Sequence, residues 1–140
     1  MSRTMAVDWG EKRLGIAVTD PMNVTAQPLA VIPISSREKT WEALRKLIDD
    51  YQIGRIVVGI PFRTDGRESE KAARVREWIA EAKTNLAFSD FAEVDERLTT
   101  AHAQRLLHEG GMKMKKQKDV VDKIAAALIL EQYLAHNAKP

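Results

Sequence analysis

The chain's 140 residues, 44% hydrophobic and 30% charged, have the size and balance of one soluble domain spanning 1–140 with a core of its own. A net charge of +2 permits a polyanionic partner without demanding one. The absence of cysteine excludes disulfides, cysteine-ligated zinc and thiol catalysis, and points to a reducing compartment such as the cytoplasm. No signal peptide is visible, and no apolar run approaches the roughly 18 residues that a membrane span requires.

Residues 4–9 and 14–19 read as two short apolar strands. Gly10, Glu11, Lys12 and Arg13 lie between them, so a hairpin is predicted. A third strand is expected from Gln27 to Ile34, and Pro28 and Pro33 confine it to a sheet edge or to bulged ends. Ser35 followed by Glu38 has the pattern of a capping box. Trp41, Leu44, Leu47, Ile48 and Tyr51 then recur at helical spacing, and Gly54 follows that helix. RIVVGI, residues 55–60, is a continuously apolar strand of the kind buried on both faces.

A loop and a second helix come next. Asp65 with Glu68 is another capping-box candidate, and Ala72, Val75, Trp78, Ile79 and Ala82 form the buried stripe. Residues 84–90 read as irregular, and FAEVDERL, residues 91–98, as the last strand. TTAHAQRLLHEGG reads as a third helix that Thr99 or Thr100 caps and Gly110-Gly111 ends. MKMKKQK, residues 112–118, reads as a basic linker before a terminal helix over 119–136. The order βββαβαβαα describes an α/β domain, antiparallel in its first half and crossover-connected in its second.

This order delivers carboxylates to similar places. Asp8 lies near the C-terminal end of the first strand, and Asp95 and Glu96 near that of the last. Asp119 and Asp122 start the terminal helix, three apart and therefore on one side. Open α/β sheets bind ligands outside the carboxyl ends of their strands. Carboxylates gathered there raise each other's pKa, a conflict that divalent cations remove. Oxygen-only ligands favour Mg²⁺ or Mn²⁺, and two such ions clamp the attacking and leaving oxygens of a phosphodiester.

Taken singly, each acid has a plainer reading. Asp8 serves as a turn cap, Asp95-Glu96-Arg97 as a surface charge run, Asp119 as an N-cap and Asp122 as a charge on the helix dipole. Only their combination favours a metal site. His102, His108 and His136 have no metal-ligand spacing. Lys113, Lys115, Lys116 and Lys118 suit a solvated loop and a phosphate contact about equally.

Four stretches, in this order, are similar to the motifs of one family: VDWGEKRLGIAVTD (7–20), VVGIPFRTDGRES (57–69), DERLTT (95–100) and VVDKIAAALILEQYL (120–134). They resemble the YqgF family, also called RuvX, of the RNase H-like superfamily. The resemblance implies an RNase H-like fold, a five-stranded mixed sheet in order 3-2-1-4-5 flanked by helices. It implies a metal-dependent nuclease that matures the 5′ end of pre-16S ribosomal RNA or, alternatively, resolves Holliday junctions in DNA.

Carried over by position, the family's acids fall on Asp8, on Glu96 or Asp95, and on Asp122, with Asp119 outside the core motif. Alternation puts Ala92, Val94 and Glu96 on one strand face and Phe91, Glu93 and Asp95 on the other; both faces of a central sheet can be covered, so the pattern does not decide, and Glu96 is favoured. In that reading Asp8 bridges two ions of Mg²⁺ or Mn²⁺, while Glu96 and Asp122 each fix one side. Arg13, Arg63, Arg97, Lys116 and Lys118 are the candidates for holding phosphates of the nucleic acid. Paired cuts in a junction would call for a two-fold homodimer. Two rival readings are a non-catalytic nucleic-acid-binding module and an ATPase of the actin and sugar-kinase type. The second rests on Asp8-x-Gly10 and needs two domains where 140 residues supply one.

Overall fold

The computed structural model describes residues 2–62, 65–96 and 114–137, the side chains of the last segment over 122–136. Among them five strands make one sheet: β1 (Arg3–Trp9), β2 (Arg13–Thr19), β3 (Ala26–Pro33), β4 (Ile53–Ile60) and β5 (Phe91–Asp95). Their spatial order is β3-β2-β1-β4-β5. β2 pairs antiparallel with both β1 and β3, whereas β4 runs parallel to β1 and β5 parallel to β4. This is the mixed 3-2-1-4-5 sheet of the RNase H-like fold. Among the described residues three helices flank it: α1 (Arg37–Asp50), α2 (Glu70–Leu86) and α3 (Met114–Asn137).

Alternation along the strands builds two unequal layers. Met5 and Val7 of β1, Ile16 and Val18 of β2, and Ile56, Val58 and Ile60 of β4 pack against Trp41, Leu44, Val75 and Ile79 of α1 and α2. Trp41 and Trp78 stack across those two helices with ring centroids 5.9 Å apart. The intervening residues are small. Ala6, Ala17 and Val57 meet Ala126, Ala127, Ile129 and Leu130 of α3. Ile129 and Leu130 are fully buried, each worth roughly 1.5–3 kcal/mol, and they hold α3 to the sheet. Asp8 follows Ala6 by two residues and therefore belongs to the α3 face.

β3 is an edge strand, as its two prolines require. Ile16 faces Ala30 while Ala17 faces Pro28, so Leu29 is the extra residue of a bulge. Several local expectations are corrected. Ser36, not Ser35, caps α1, accepting from the Lys39 N–H at 3.2 Å. Ser69, not Asp65, caps α2; it accepts from the Ala72 N–H at 3.0 Å and donates its hydroxyl to the Pro61 carbonyl at 2.6 Å. α2 continues through residues 84–86 and ends at Ala87, which is left-handed with φ 49°.

After α1 the left-handed residue is Gln52, with φ 52°, while Gly54 is already within β4. β5 stops at Asp95. Residues 114–118 are helical, so most of the expected basic linker is the start of α3. The helix expected at 99–111 and its caps lie outside the described residues. Among the described residues no helix is long and apolar enough to cross a membrane.

The β2–β3 turn hangs on Asp20. Its carboxylate accepts from the N–H groups of Met22, Val24 and Thr25 at 3.0, 2.8 and 2.6 Å, and from the Thr25 hydroxyl at 3.1 Å. These bonds, the Thr25 N–H foremost, hold its pKa at about 2. The folded pKa lies below the unfolded one, so the contribution is present above the unfolded value and is lost as pH falls through about 2. Asp20→Asn should therefore lower the urea midpoint at neutral pH. The mutant and wild-type curves should converge by the most acid end of the titration. A constant gap across all pH values would assign the effect to packing instead of charge.

Candidate active site

Three carboxylates reach the α3 face of the sheet from separate elements. β1 is the central strand, and Asp8 sits near its carboxyl end. Val7 pairs with Val58 on β4, so Asp8 comes level with Gly59; Gly59 in turn pairs with Val94 on β5. Glu96 follows Val94 by two residues and shares its face. Its Oε2 stands 3.3 Å from the point a Cβ on residue 59 would occupy. The missing side chain at Gly59 opens the path by which Glu96 crosses β4 and meets Asp8.

Asp8 and Glu96 are joined by a side-chain hydrogen bond. Glu96 is 8% exposed and Asp8 is partly buried. The Asp8 carboxyl is pushed well above the usual carboxylate range. Burial is the largest cause, followed by the charge and hydrogen bond of Glu96; Lys71 pulls the other way, and Asp122 adds a smaller push. Burial and the neighbouring carboxylates thus favour the neutral form of Asp8 in the absence of a cation.

Asp122 arrives on α3. A Cβ on Gly15 of β2 would fall 2.1 Å from the Asp122 carbonyl oxygen and 3.2 Å from its Cα. The helix backbone therefore lies directly on β2, an approach only glycine permits. Two residues earlier on the same strand, the Arg13 Nε forms an ion pair with Asp122 Oδ2 at 3.0 Å. Asp8, Arg13, Lys71 and Asp122 line one open cleft, walled by the turn from Gly10 to Lys12.

The donor set is carboxylate oxygen throughout, which suits Mg²⁺ or Mn²⁺, and the crowding of Asp8 against Glu96 is a charge conflict that such a cation would relieve. Among the described residues no three acids already stand close enough to hold one ion. Two are joined to each other, and the third is paired with Arg13.

Other expected residues are placed as follows. Asp95 is the last residue of β5, level with Ile60 of β4. The side chains of Lys116, Lys118 and Asp119, and the whole of Arg63 and Arg97, lie outside the described residues. His136 sits apart from the cleft, near Arg55 and Tyr133. Lys71 escaped the sequence reading. It follows the Ser69 cap by two residues, and a cation in the first turn of a helix opposes the macrodipole, which is the signal that it serves something outside its own helix.

The family model described as "RuvX: Holliday junction resolvase" matches residues 2–136. A protein of Dictyoglomus thermophilum described as "Putative pre-16S rRNA nuclease" is 42% identical over 132 residues, covering 94% of each chain. One of Halothermothrix orenii with the same description is 37% identical over 137 residues, covering 98% of this chain and 97% of the other. Among solved structures, T. thermophilus RuvC in complex with Holliday junction substrate matches with a TM-score of 0.55. That likeness covers 98% of this chain and 97% of the other at 13% identity, and it is one of fold.

Proposed function

Because this chain belongs to the RuvX family and is a nuclease of RNase H-like fold, we propose that it cuts phosphodiester bonds with Mg²⁺ or Mn²⁺ held by Asp8, Glu96 and Asp122. We propose further that its substrate is the 5′ end of pre-16S ribosomal RNA, in the cytoplasm. The observation that carries the reading is the Asp8–Glu96 pair. Two carboxyl groups are brought into hydrogen-bond contact at the strand ends, at a cost in charge repulsion that the fold alone does not need.

Bound divalent ions supply Lewis-acid stabilisation of the attacking and leaving oxygens. The chain's own residues do the rest. Asp8, on the central strand, would be one of the residues that hold the metal. Glu96, reaching over Gly59, and Asp122 would hold it with Asp8. Arg13 and Lys71 put positive charge on the open cleft, where they neutralise and orient backbone phosphates. Arg63, Arg97, Lys116 and Lys118 extend that basic set in this reading, while Asp95 and Asp119 are the alternative acids.

The substrate is tested by offering precursor ribosomal RNA and a four-way DNA junction side by side, with Mn²⁺ and with EDTA. Cleavage of the RNA at its 5′ leader, dependent on the cation, is the expected result. Paired cuts in the junction with the RNA left intact would transfer the assignment to DNA, and would call for a homodimer. Equal cleavage in EDTA would remove the metal from the reading.

A further inference from the structure

We propose that Arg13 is a positioning residue that holds Asp122 away from the Asp8–Glu96 pair until a substrate phosphate draws its guanidinium off. The inference rests on the assignment of Asp122 as a metal ligand. It begins with the backbone. Gly15 pins α3 so closely at Asp122 that the Cα of that residue has no room to shift toward the sheet. The carboxylate can change partners only by rotating its side chain.

Two of the partners open to it compete in this reading. One is the Arg13 Nε, at 3.0 Å on the same strand as the glycine that pins the helix. The other is a cation shared with Asp8 and Glu96. Asp122 lines the same cleft as Asp8, yet no three acids of the described residues form a group fit for an ion. Glu11, in the same turn as Arg13, is already paired with Arg74 and does not compete for it.

Chemistry makes the latch releasable. Arg13 is 32% exposed and Asp122 23%; the Asp122 Oδ2 that meets Arg13 is shielded, so the guanidinium is the side of the pair open to the cleft. Arg13 lines the cleft, and a guanidinium takes a phosphate through two parallel N–H···O bonds. A phosphate at the cleft would thus engage Arg13 and release its hold on Asp122 in one exchange. Substrate and metal then tighten each other's binding by the same factor.

The test measures Mn²⁺ binding, by the spectroscopic signal of the free ion, with and without an uncleavable phosphorothioate decanucleotide. The proteins are wild type, Arg13→Gln, Asp122→Asn and the double variant. Arg13→Gln should bind Mn²⁺ roughly fivefold more tightly than wild type when no oligonucleotide is present, the size expected of a partly exposed pair. The oligonucleotide should tighten Mn²⁺ binding by wild type and have a much smaller effect on Arg13→Gln. In the Asp122→Asn background the Arg13 change should have no effect.

Unchanged or weaker binding by Arg13→Gln would overturn the latch, as would equal tightening in both backgrounds, which is what loss of a nearby charge alone produces. If Asp122→Asn binds Mn²⁺ as wild type does, the metal assignment itself falls. Should Arg13→Gln not fold, Arg13→Met keeps the aliphatic stem and is read the same way.

Discussion

Asp8→Asn is expected to abolish metal-dependent cleavage while leaving the metal-free protein more stable than wild type. An amide keeps the shape and one acceptor oxygen, but it is a poor ligand for Mg²⁺. Losing a proposed metal ligand would remove several kcal/mol of charge stabilisation, so the rate should fall by a factor of at least about 10³. Stability should move the other way. Asp8 is crowded by Glu96 and, more weakly, by Asp122. Relieving that conflict should raise stability in EDTA by on the order of 1 kcal/mol, the scale of gain found when a strained functional site is neutralised.

The pH dependence carries a definite sign. The folded pKa of Asp8 lies above its unfolded value. Its contribution is therefore complete below the unfolded value and drains away as pH rises through the folded one. Metal-free wild type should lose stability across that window, and Asp8→Asn should show no such loss. Mn²⁺ should restore wild type at the upper end of the window and leave the mutant unmoved. Parallel melting curves in EDTA for the two proteins would mean that Asp8 and Glu96 are not in conflict.

Gly15→Ala is expected to cause the largest loss of stability of any one-methyl change near the cleft. The added Cβ would lie 2.1 Å from the Asp122 carbonyl oxygen and 2.7 Å from its carbon. Backbone cannot rotate out of the way as a side-chain tip can, so β2 and α3 must separate. Overpacking of this kind costs roughly 1–3 kcal/mol, at times more, and a backbone clash belongs at the upper end. Separation also carries Asp122 away from Asp8, and for the metal ligand proposed here a displacement of about 1 Å can cost about a hundredfold in rate. Gly59→Ala is the comparison. Its nearest neighbour is the Cδ1 of Ile129, at 2.5 Å, which can swing aside. Denaturant midpoints for the two variants measure the difference, and equal destabilisation would contradict the close seat of α3 on Gly15.

Much of this architecture was legible because strand alternation has a period of two. The small and large faces of β1 and β2 follow from Ala6 and Ala17 falling between Met5, Val7, Ile16 and Val18. The same period groups Glu96 with Ala92 and Val94. What alternation does not reveal is which helix covers which face, and only the packing of α3 on Ala6 and Val57 places Glu96 on the Asp8 side. The caps were misplaced because polar runs such as ISSREKT and TDGRESE offer several residues at capping spacing, and local sequence does not rank them.

The lysines from 115 to 118 looked like a linker by charge. Lys, Gln and Met are nevertheless good helix formers, and α3 starts among them. The Arg13–Asp122 pair joins residues far apart in sequence and leaves no local pattern. The close approach at Gly15 shows in sequence only as a glycine within an apolar strand, a known mark of another backbone nearby.

Crystals grown with Mn²⁺, with the metal located by its anomalous scattering, test the proposed site most directly. The expected result is Mn²⁺ density bounded by the carboxylates of Asp8, Glu96 and Asp122, with the Asp8–Glu96 hydrogen bond broken and Asp122 turned from Arg13. Density elsewhere on the protein, with those three carboxylates paired as they are here, would contradict it.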